Sequence, residues 1–321
     1  MSSSIFKCLN VLLLTSSYGL LELAVIVSGS RDYSRSIARA IALRLNLKLV
    51  DVLSKRFPDG ELYVRVVNGL EDEHYIIVQS MEPPSSNSII ELILLLDALS
   101  EFKPREVTLV APYLPYARQD KVFLRGEPIS VRALLKTFKT LGVNRLITVE
   151  AHSPTALSYF PGDVINIRPL EYMAKLVGFS SDILVISPDI GGIDRARRVA
   201  EALNARSDYI VKRRDRVTGE ILVEPRELDP RGLEVLIVDD IISTGGTIAE
   251  VARILREKDA SKINVMTVHY LNIEGALERI LKFTDRIIAS NTIQPLYPDK
   301  IEYIDVIPLI CDTLTTILER V

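Results

Sequence analysis

The sequence predicts an α/β protein with two doubly wound domains, each built on a parallel sheet. Apolar runs alternate with segments of helical periodicity along most of the 321 residues, and polar loops follow the runs. Strands that alternate with helices are typical of parallel sheets with helices on both faces. The pattern restarts near residue 167, which suggests a domain boundary there. We therefore predict a first domain at 23–166 and a second at 167–321, whose last segment is a candidate to pack back on the first.

The first domain contains five apolar runs of strand length and a sixth segment of alternating residues. The runs lie at 23–27, 47–52, 75–78, 107–111 and 145–149, and the alternation at 62–66 follows the turn signal Pro58-Asp59-Gly60. Helical spacing predicts helices at 37–45, 89–102 and 131–141. Residues 1–22 are interpreted as an N-terminal extension, because polar residues interrupt their apolar stretch and no cleavage signal follows it.

The second domain repeats the alternation. Strands are predicted at 183–187, 209–211, 235–238, 263–268 and 286–289, and helices at 170–177, 193–203 and 248–255. The basic run at 212–214 is predicted to lie in a loop after the short strand at 209–211.

Composition narrows the class of protein. The net charge of −3 gives no general attraction to nucleic acid. Two cysteines, Cys8 and Cys311, lie far apart in sequence and indicate a reduced, cytoplasmic protein without a disulfide framework. No stretch is favoured as a membrane-spanning helix.

The segment at 235–255 is the clearest candidate for a binding site. A buried strand leads into Asp239 and Asp240, then into a turn of hydroxyl and glycine residues, then into a helix; the turn is Ser243, Thr244, Gly245, Gly246 and Thr247. A helix N-terminus offers free N–H groups and a positive dipole end to an anion such as phosphate. No Gly-Lys-Ser/Thr follows the glycines, so this is not a Walker A motif. Adjacent carboxylates suit sugar hydroxyls or a magnesium-bridged ligand, and an ordinary βα turn is the alternative.

Other polar segments also follow predicted strands and should converge on the same crevice. His152 and Asp189 would suit Mg²⁺, which keeps several waters, although each could be a purely structural residue. The basic run at 212–214 is either a solvated surface or a clamp that neutralises phosphoryl charge. Phe57 either packs on the core or stacks on a base.

Several motifs, in this order, resemble the ribose-phosphate pyrophosphokinase family. They are RFPDGE at 56–61, YARQDK at 116–121, EAHSP at 150–154, SPDIGGIDRAR at 187–197, KRR at 212–214 and VLIVDDIISTGGT at 235–247. The last resembles the phosphoribosyl-diphosphate motif of type I phosphoribosyltransferases. The resemblance runs from about residue 23 to near the C-terminus. The segments around His152 and after Arg214 are closer to archaeal-type members.

The resemblance implies two type I phosphoribosyltransferase-like domains and transfer of the β,γ-diphosphoryl group of MgATP to the 1-hydroxyl of ribose 5-phosphate, which gives AMP. Residues 243–247 would hold the 5-phosphate, and Asp239 and Asp240 the ribose hydroxyls. His152 and Asp189 would organise Mg²⁺. The ATP contacts implied are Arg118 and Gln119, with Phe57, Asp59 and Glu61 at the adenine, in this family often from the neighbouring subunit of a homo-oligomer. Lys212 and Arg214 would lie on a loop that closes over the transition state.

Two alternatives remain at this point. A phosphoribosyltransferase that consumes phosphoribosyl diphosphate would leave the segments at 57–61 and 118–121 unexplained. A non-catalytic relative should have lost His152, Asp189, Lys212 and Arg214, all of which are present. Many bacterial members carry Asp where this chain has Ser243. Since backbone amides do most of the anion binding in such a loop, phosphate binding is expected to survive.

Overall fold

Two seven-stranded sheets form the framework of the computed structural model, which describes residues 24–214, 221–225 and 229–320. In the first half the elements are β1 (Ala24–Ser28), α1 (Asp32–Leu45), β2 (Lys48–Arg56), β3 (Leu62–Val67), β4 (His74–Val78), α2 (Ser85–Ser100), β5 (Glu106–Ala111), α3 (Ser130–Thr140), β6 (Arg145–Val149), α4 (Pro154–Leu157) and β7 (Asp163–Ile167). In the second half they are α5 (Leu170–Val177), β8 (Leu184–Ser187), α6 (Ile193–Leu203), β9 (Arg206–Arg214), β10 (Ile221–Pro225), β11 (Glu234–Ile242), α7 (Gly246–Glu257), β12 (Lys262–Tyr270), α8 (Ala276–Leu281), β13 (Arg286–Ser290), β14 (Glu302–Ile304) and α9 (Ile307–Leu318).

Both sheets have the same strand order. The first runs β3-β2-β1-β4-β5-β6-β7 and the second β10-β9-β8-β11-β12-β13-β14. Neighbouring strands are parallel except at one edge of each sheet, where β3 pairs antiparallel with β2 and β10 with β9. The chain reverses its direction of winding between β1 and β4 and between β8 and β11, and ligands bind at such points in open α/β sheets. The predicted fold class is therefore confirmed.

Continuous apolar runs form the central strands because helices cover both faces of each sheet. Every residue of β1 and of β4 is buried. Helix α1 begins at Asp32, five residues before the predicted start, because its first turn is polar and only the later turns carry the apolar periodicity. The elements not predicted from sequence are α4, α8, α9 and the strands β7, β10 and β14.

The basic run at 212–214 is a correction to the sequence-based prediction. Its backbone is not in a loop: it completes β9, which is nine residues long instead of three. The reason is an antiparallel partner, since Lys212 pairs with Val223 and Arg214 with Ile221 of β10.

One helix crosses between the two halves. Helix α5 packs within the second half, against α6 and β12, whereas α9, the last helix of the second half, packs against α1 of the first. One core cluster accordingly holds residues from both sheets, including Ile26, Val149 and Val185, together with Leu314 of α9. The boundary near residue 167 stays a prediction.

The remaining sequence-based predictions concern the N-terminal extension, the two cysteines and membrane-spanning helices. Residues 1–22, with Cys8, lie outside the described residues. Cys311 is a free cysteine buried in α9. No helix in the described part of the chain is long and apolar enough to cross a lipid bilayer.

Candidate functional site

A cleft of about 600 Å³ opens at the carboxyl ends of β8 and β11, and residues of both halves line it. Arg118, after β5, and His152, after β6, come from the first half. The predicted site residues that the cleft brings together are Arg118, His152, Asp189, Asp239, Asp240, Ser243, Thr244, Gly245, Gly246 and Thr247.

The loop after β11 presents the N-terminus of α7 to this cleft. Gly245 is the N-cap and has a left-handed φ of 73°. A Cβ there would lie 2.9 Å from Ile280 Cδ1, so only glycine fits without displacing α8. No side chain caps α7, and its first turn carries no acidic residue. The backbone N–H groups of this turn can therefore bind an anion.

The two adjacent aspartates differ in environment. Asp240 is 2% exposed, and its Oδ2 and Oδ1 lie 2.8 Å from His152 Nδ1 and 2.8 Å from Arg195 Nη2, respectively. Burial would raise the pKa of Asp240, but the hydrogen bond from His152 and the charge of Arg195 hold that pKa well below its usual range. Asp239 is 17% exposed, and burial together with the charge of Asp240 raises its pKa. Asp240 is therefore buried and ionised, and Asp239 is the more accessible of the two carboxylates.

His152 reaches Asp240 because the chain turns sharply after β6. Glu150 has a left-handed φ of 38°, and its buried carboxylate Oε1 accepts a hydrogen bond from Arg198 Nη2 at 3.1 Å. Burial raises the pKa of Glu150 to about 7, although the charges of Arg198 and Arg195 oppose the shift. Ala151 N donates to Asn166 Oδ1 at 3.0 Å. These contacts hold Glu150 and Ala151, the two residues that lead into His152.

Asp189, after β8, is exposed and lines the same cleft. Its Oδ1 accepts a hydrogen bond from Gly192 N at 3.1 Å. Within the described residues no three His, Cys, Asp or Glu side chains cluster closely enough to cage a metal ion. The two predicted ligands, His152 and Asp189, are an imidazole and a carboxylate, and Mg²⁺ is commonly bound through one or two protein groups together with waters and substrate phosphates.

Of the predicted residues whose side chains the structure describes, four lie outside the cleft lining. Gln119 is engaged with Ser130 Oγ through its Oε1. Phe57, Asp59 and Glu61 form an exposed turn between β2 and β3, where Phe57 packs edge-on against Tyr63.

The predicted clamp residues Lys212 and Arg214 have a described backbone only. Their side chains lie outside what the structure describes. Ile210 of the same strand, β9, lines the cleft. The position of the strand is therefore known, and the role of the two side chains stays a prediction.

Sequence reasoning missed Arg195. It belongs to the segment predicted to face the crevice, but helical periodicity alone could not tell which arginine of α6 points inward. Arg195 is 12% exposed and contacts both aspartates, whereas Arg197 is 62% exposed and pairs with Asp194. The two aspartates that Arg195 contacts belong to β11, so the sequence of α6 does not reveal them.

A fully buried histidine joins the halves behind the cleft. His269 Nε2 lies 3.0 Å from Val149 O, and its Nδ1 lies 2.8 Å from Thr292 Oγ1. Tyr113 packs edge-on against its ring at 5.0 Å. Burial lowers the pKa of His269 to about 4.

This histidine should make the free energy of unfolding depend on pH. The folded pKa lies below the ordinary value of about 6.5, so the unfolded chain binds the extra proton first, and stability falls as the pH drops from about 6.5 to about 4. The loss approaches about 3 kcal/mol. His269→Gln keeps a donor for Val149 O but cannot titrate. Chemical denaturation at several pH values should give a shallower acid slope for the variant, and equal slopes would contradict the assignment.

Family models, sequence relatives and a solved structure all place the chain in the same family. Residues 24–142 match the model of the N-terminal domain of ribose phosphate pyrophosphokinase, and residues 171–297 match the phosphoribosyl transferase domain. The chain is 40% identical over 302 residues to a ribose-phosphate pyrophosphokinase of Aeropyrum pernix, covering 92% of this chain and 97% of the relative. It is 41% identical over 288 residues to the protein of the same name from Pyrococcus abyssi, covering 89% and 96%. The crystal structure of phosphoribosylpyrophosphate synthetase from Mycobacterium smegmatis superposes with a TM-score of 0.86 at 26% identity, covering 94% of this chain and 100% of that one.

Proposed function

The chain belongs to the ribose-phosphate pyrophosphokinase family, and from that premise we propose how its residues share the work of the reaction. The enzyme transfers the β,γ-diphosphoryl group of ATP to the 1-hydroxyl of ribose 5-phosphate, which yields 5-phosphoribosyl 1-diphosphate and AMP. The observation that carries the assignment of residues is a cleft to which both halves contribute. The loop at the N-terminus of α7 comes from the second half, and Arg118 and His152 come from the first.

The sugar phosphate binds on the side of the second half. The N–H groups at the start of α7 hold the 5-phosphate, because that turn is uncapped and free of acidic residues. Asp239, the more exposed carboxylate, accepts hydrogen bonds from ribose hydroxyls. The phosphate at one end and the hydroxyls at the other fix where the 1-hydroxyl lies.

The triphosphate binds on the side of the first half. Arg118 is exposed and lines the cleft, so its guanidinium can contact phosphate oxygens. His152 and Asp189 would hold Mg²⁺, which when bound supplies charge neutralisation to the transferring group. Gln119 stays a predicted ATP contact; it lies outside the cleft lining, and its Oε1 accepts a hydrogen bond from Ser130 Oγ.

Transfer of a diphosphoryl group requires positioning and charge compensation more than a covalent nucleophile. The 1-hydroxyl oxygen forms a bond to the β-phosphorus and its proton is released to solvent, while the bond from the β-phosphorus to the oxygen of AMP breaks and AMP leaves. Lys212 and Arg214 neutralise the charge that develops on the transferring phosphates. Their strand, β9, contributes Ile210 to the cleft.

The adenine contacts come from a neighbouring subunit. The turn carrying Phe57, Asp59 and Glu61 follows β2, and three strands separate β2 from β6 in the sheet. Four strand spacings place the turn about 19 Å across the sheet from the strand that ends near His152. The exposed turn of one chain is therefore proposed to complete the ATP site of another, which makes the active protein a homo-oligomer.

Mixed oligomers test this sharing. A chain with Phe57, Asp59 and Glu61 all changed to Ala and a chain carrying Lys212→Ala should each be nearly inactive. Because a mixed dimer restores one intact site, co-refolding equal amounts should recover about a quarter of wild-type turnover. Mixing the already folded homo-oligomers without exchange is the control, and no recovery after verified exchange would place the adenine contacts within one chain.

A cytoplasmic location is also proposed. The reaction consumes ATP, and the buried Cys311 is a free thiol, as is common in a reducing compartment.

The proposed chemistry is tested by the nucleotide product. With ribose 5-phosphate, ATP and Mg²⁺, AMP should form only when the sugar is present. Formation of ADP would indicate ordinary kinase chemistry instead. Phosphoribosyl diphosphate consumed with an added base, in the absence of ATP, would favour a phosphoribosyltransferase.

A further inference from the structure

We propose that Asp240 is a positioning residue that orients His152, and that Asp239 alone faces the sugar hydroxyls. This inference rests on the proposed function and deepens it. The family resemblance treats the two adjacent carboxylates alike, whereas their surroundings in the cleft assign them different tasks.

Asp240 has no room for a substrate. Its side chain is 2% exposed, and each carboxylate oxygen already has a partner at 2.8 Å, one on His152 and one on Arg195. A ribose hydroxyl could reach it only by displacing one of those side chains. Asp239 is 17% exposed and lies 3.5 Å from Arg195, so it can accept a hydroxyl without breaking a close ion pair.

The bond between Asp240 and His152 selects the tautomer of the imidazole. Oδ1 of Asp240 lies 2.8 Å from the guanidinium of Arg195, and a carboxylate paired with a guanidinium accepts hydrogen bonds, so Nδ1 of His152 is the donor to Oδ2. In the neutral ring the lone pair is then on Nε2. Among the described residues Nε2 has no hydrogen-bond partner, and the side chain is 36% exposed and lines the cleft. Asp240 therefore leaves the nitrogen that can bind a metal ion available to the substrate side.

The same bond crosses between the two halves of the molecule. His152 follows β6 of the first sheet, and Asp240 belongs to β11 of the second. Arg195 fixes the second oxygen of Asp240, so the carboxylate cannot rotate freely. This bond therefore fixes the position of the triphosphate side of the cleft relative to the sugar side.

Replacement of Asp240 by Asn separates positioning from substrate binding. Arg195 has only donors, so the amide oxygen of Asn turns toward Arg195 and its NH₂ group toward His152. Nδ1 must then accept, which moves the ring proton to Nε2. An Asp→Asn change at a carboxylate–imidazole pair acts in this way in serine proteases.

The experiment measures the ring nitrogens directly. ¹⁵N spectra of the full chain at about pH 9, well above the ordinary imidazole pKa, report the tautomer of each of the three histidines. His152→Gln assigns the resonance. We expect an Nδ1–H tautomer for His152 in the wild-type chain and an Nε2–H tautomer in Asp240→Asn. Binding of Mn²⁺ with α,β-methylene-ATP, followed by electron paramagnetic resonance, should weaken about 10- to 100-fold in Asp240→Asn.

Asp239→Asn is the matched control. It should raise KM for ribose 5-phosphate and leave the His152 tautomer unchanged, whereas Asp240→Asn should lower kcat and leave that KM within about twofold. An Nε2–H tautomer in the wild-type chain overturns the proposal, even if Asp240→Asn fails to fold. A large rise in the KM for ribose 5-phosphate in Asp240→Asn, with the His152 tautomer unchanged, would also overturn the proposal. Absence of sugar-dependent AMP formation would refute the proposed function instead, because the tautomer is read on the unliganded protein.

Discussion

Gly245→Ala should raise KM for ribose 5-phosphate about 100-fold, because it displaces the N–H groups that hold the 5-phosphate. The φ of 73° at Gly245 is unfavourable for any residue with a Cβ. The added carbon would also lie 2.9 Å from Ile280 Cδ1 and 3.1 Å from Ala276 O, so α8 must move or the loop must shift. Steady-state kinetics with ribose 5-phosphate as the varied substrate measure the effect.

Gly178→Ala is the control for backbone strain. Gly178 ends α5 with a φ of 71°, and a Cβ there would meet no atom within 4 Å. It should lose about 1 kcal/mol of stability without a change in KM. If both variants keep the wild-type KM, the loop at 243–247 does not hold the sugar phosphate.

Lys212→Ala should lower turnover about 10³-fold with little change in ATP affinity, because a cation that meets charge formed only in the transition state contributes to kcat. Rapid-mix turnover and equilibrium binding of α,β-methylene-ATP separate the two quantities. Lys212→Arg should recover part of the rate, since it restores the charge but not the shape of the ammonium group.

Arg206→Ala controls for loss of positive charge from the same strand. Arg206 is exposed at the other end of β9 from Lys212. Its removal should leave turnover unchanged. A fall of equal size in both variants would mean a general electrostatic effect, and an unaffected Lys212→Ala would remove Lys212 from the mechanism.

The fold class and much of the cleft could be predicted from sequence because both depend on local patterns. Parallel strands bring their carboxyl ends to one edge, so Asp189 and Asp239 had to lie close together once β8 and β11 were recognised as neighbours in a parallel sheet. The anion-binding loop was equally local, since a strand, a glycine turn and a helix follow one another within one segment.

What could not be predicted depends on how the two halves dock. His152 and Asp240 are 88 residues apart, and no periodicity links them. The length of β9 depended on its pairing with β10, which overrode the loop-like composition of the basic run.

The most direct test of the account follows an intact diphosphoryl group from one side of the cleft to the other. With [β-³²P]ATP, ribose 5-phosphate and Mg²⁺, the label should appear in a sugar diphosphate in equal amount to the AMP formed, with none in ADP or inorganic phosphate. Label that remains in ADP, or that is released as phosphate or pyrophosphate without entering the sugar, would contradict a shared site for ATP and ribose 5-phosphate.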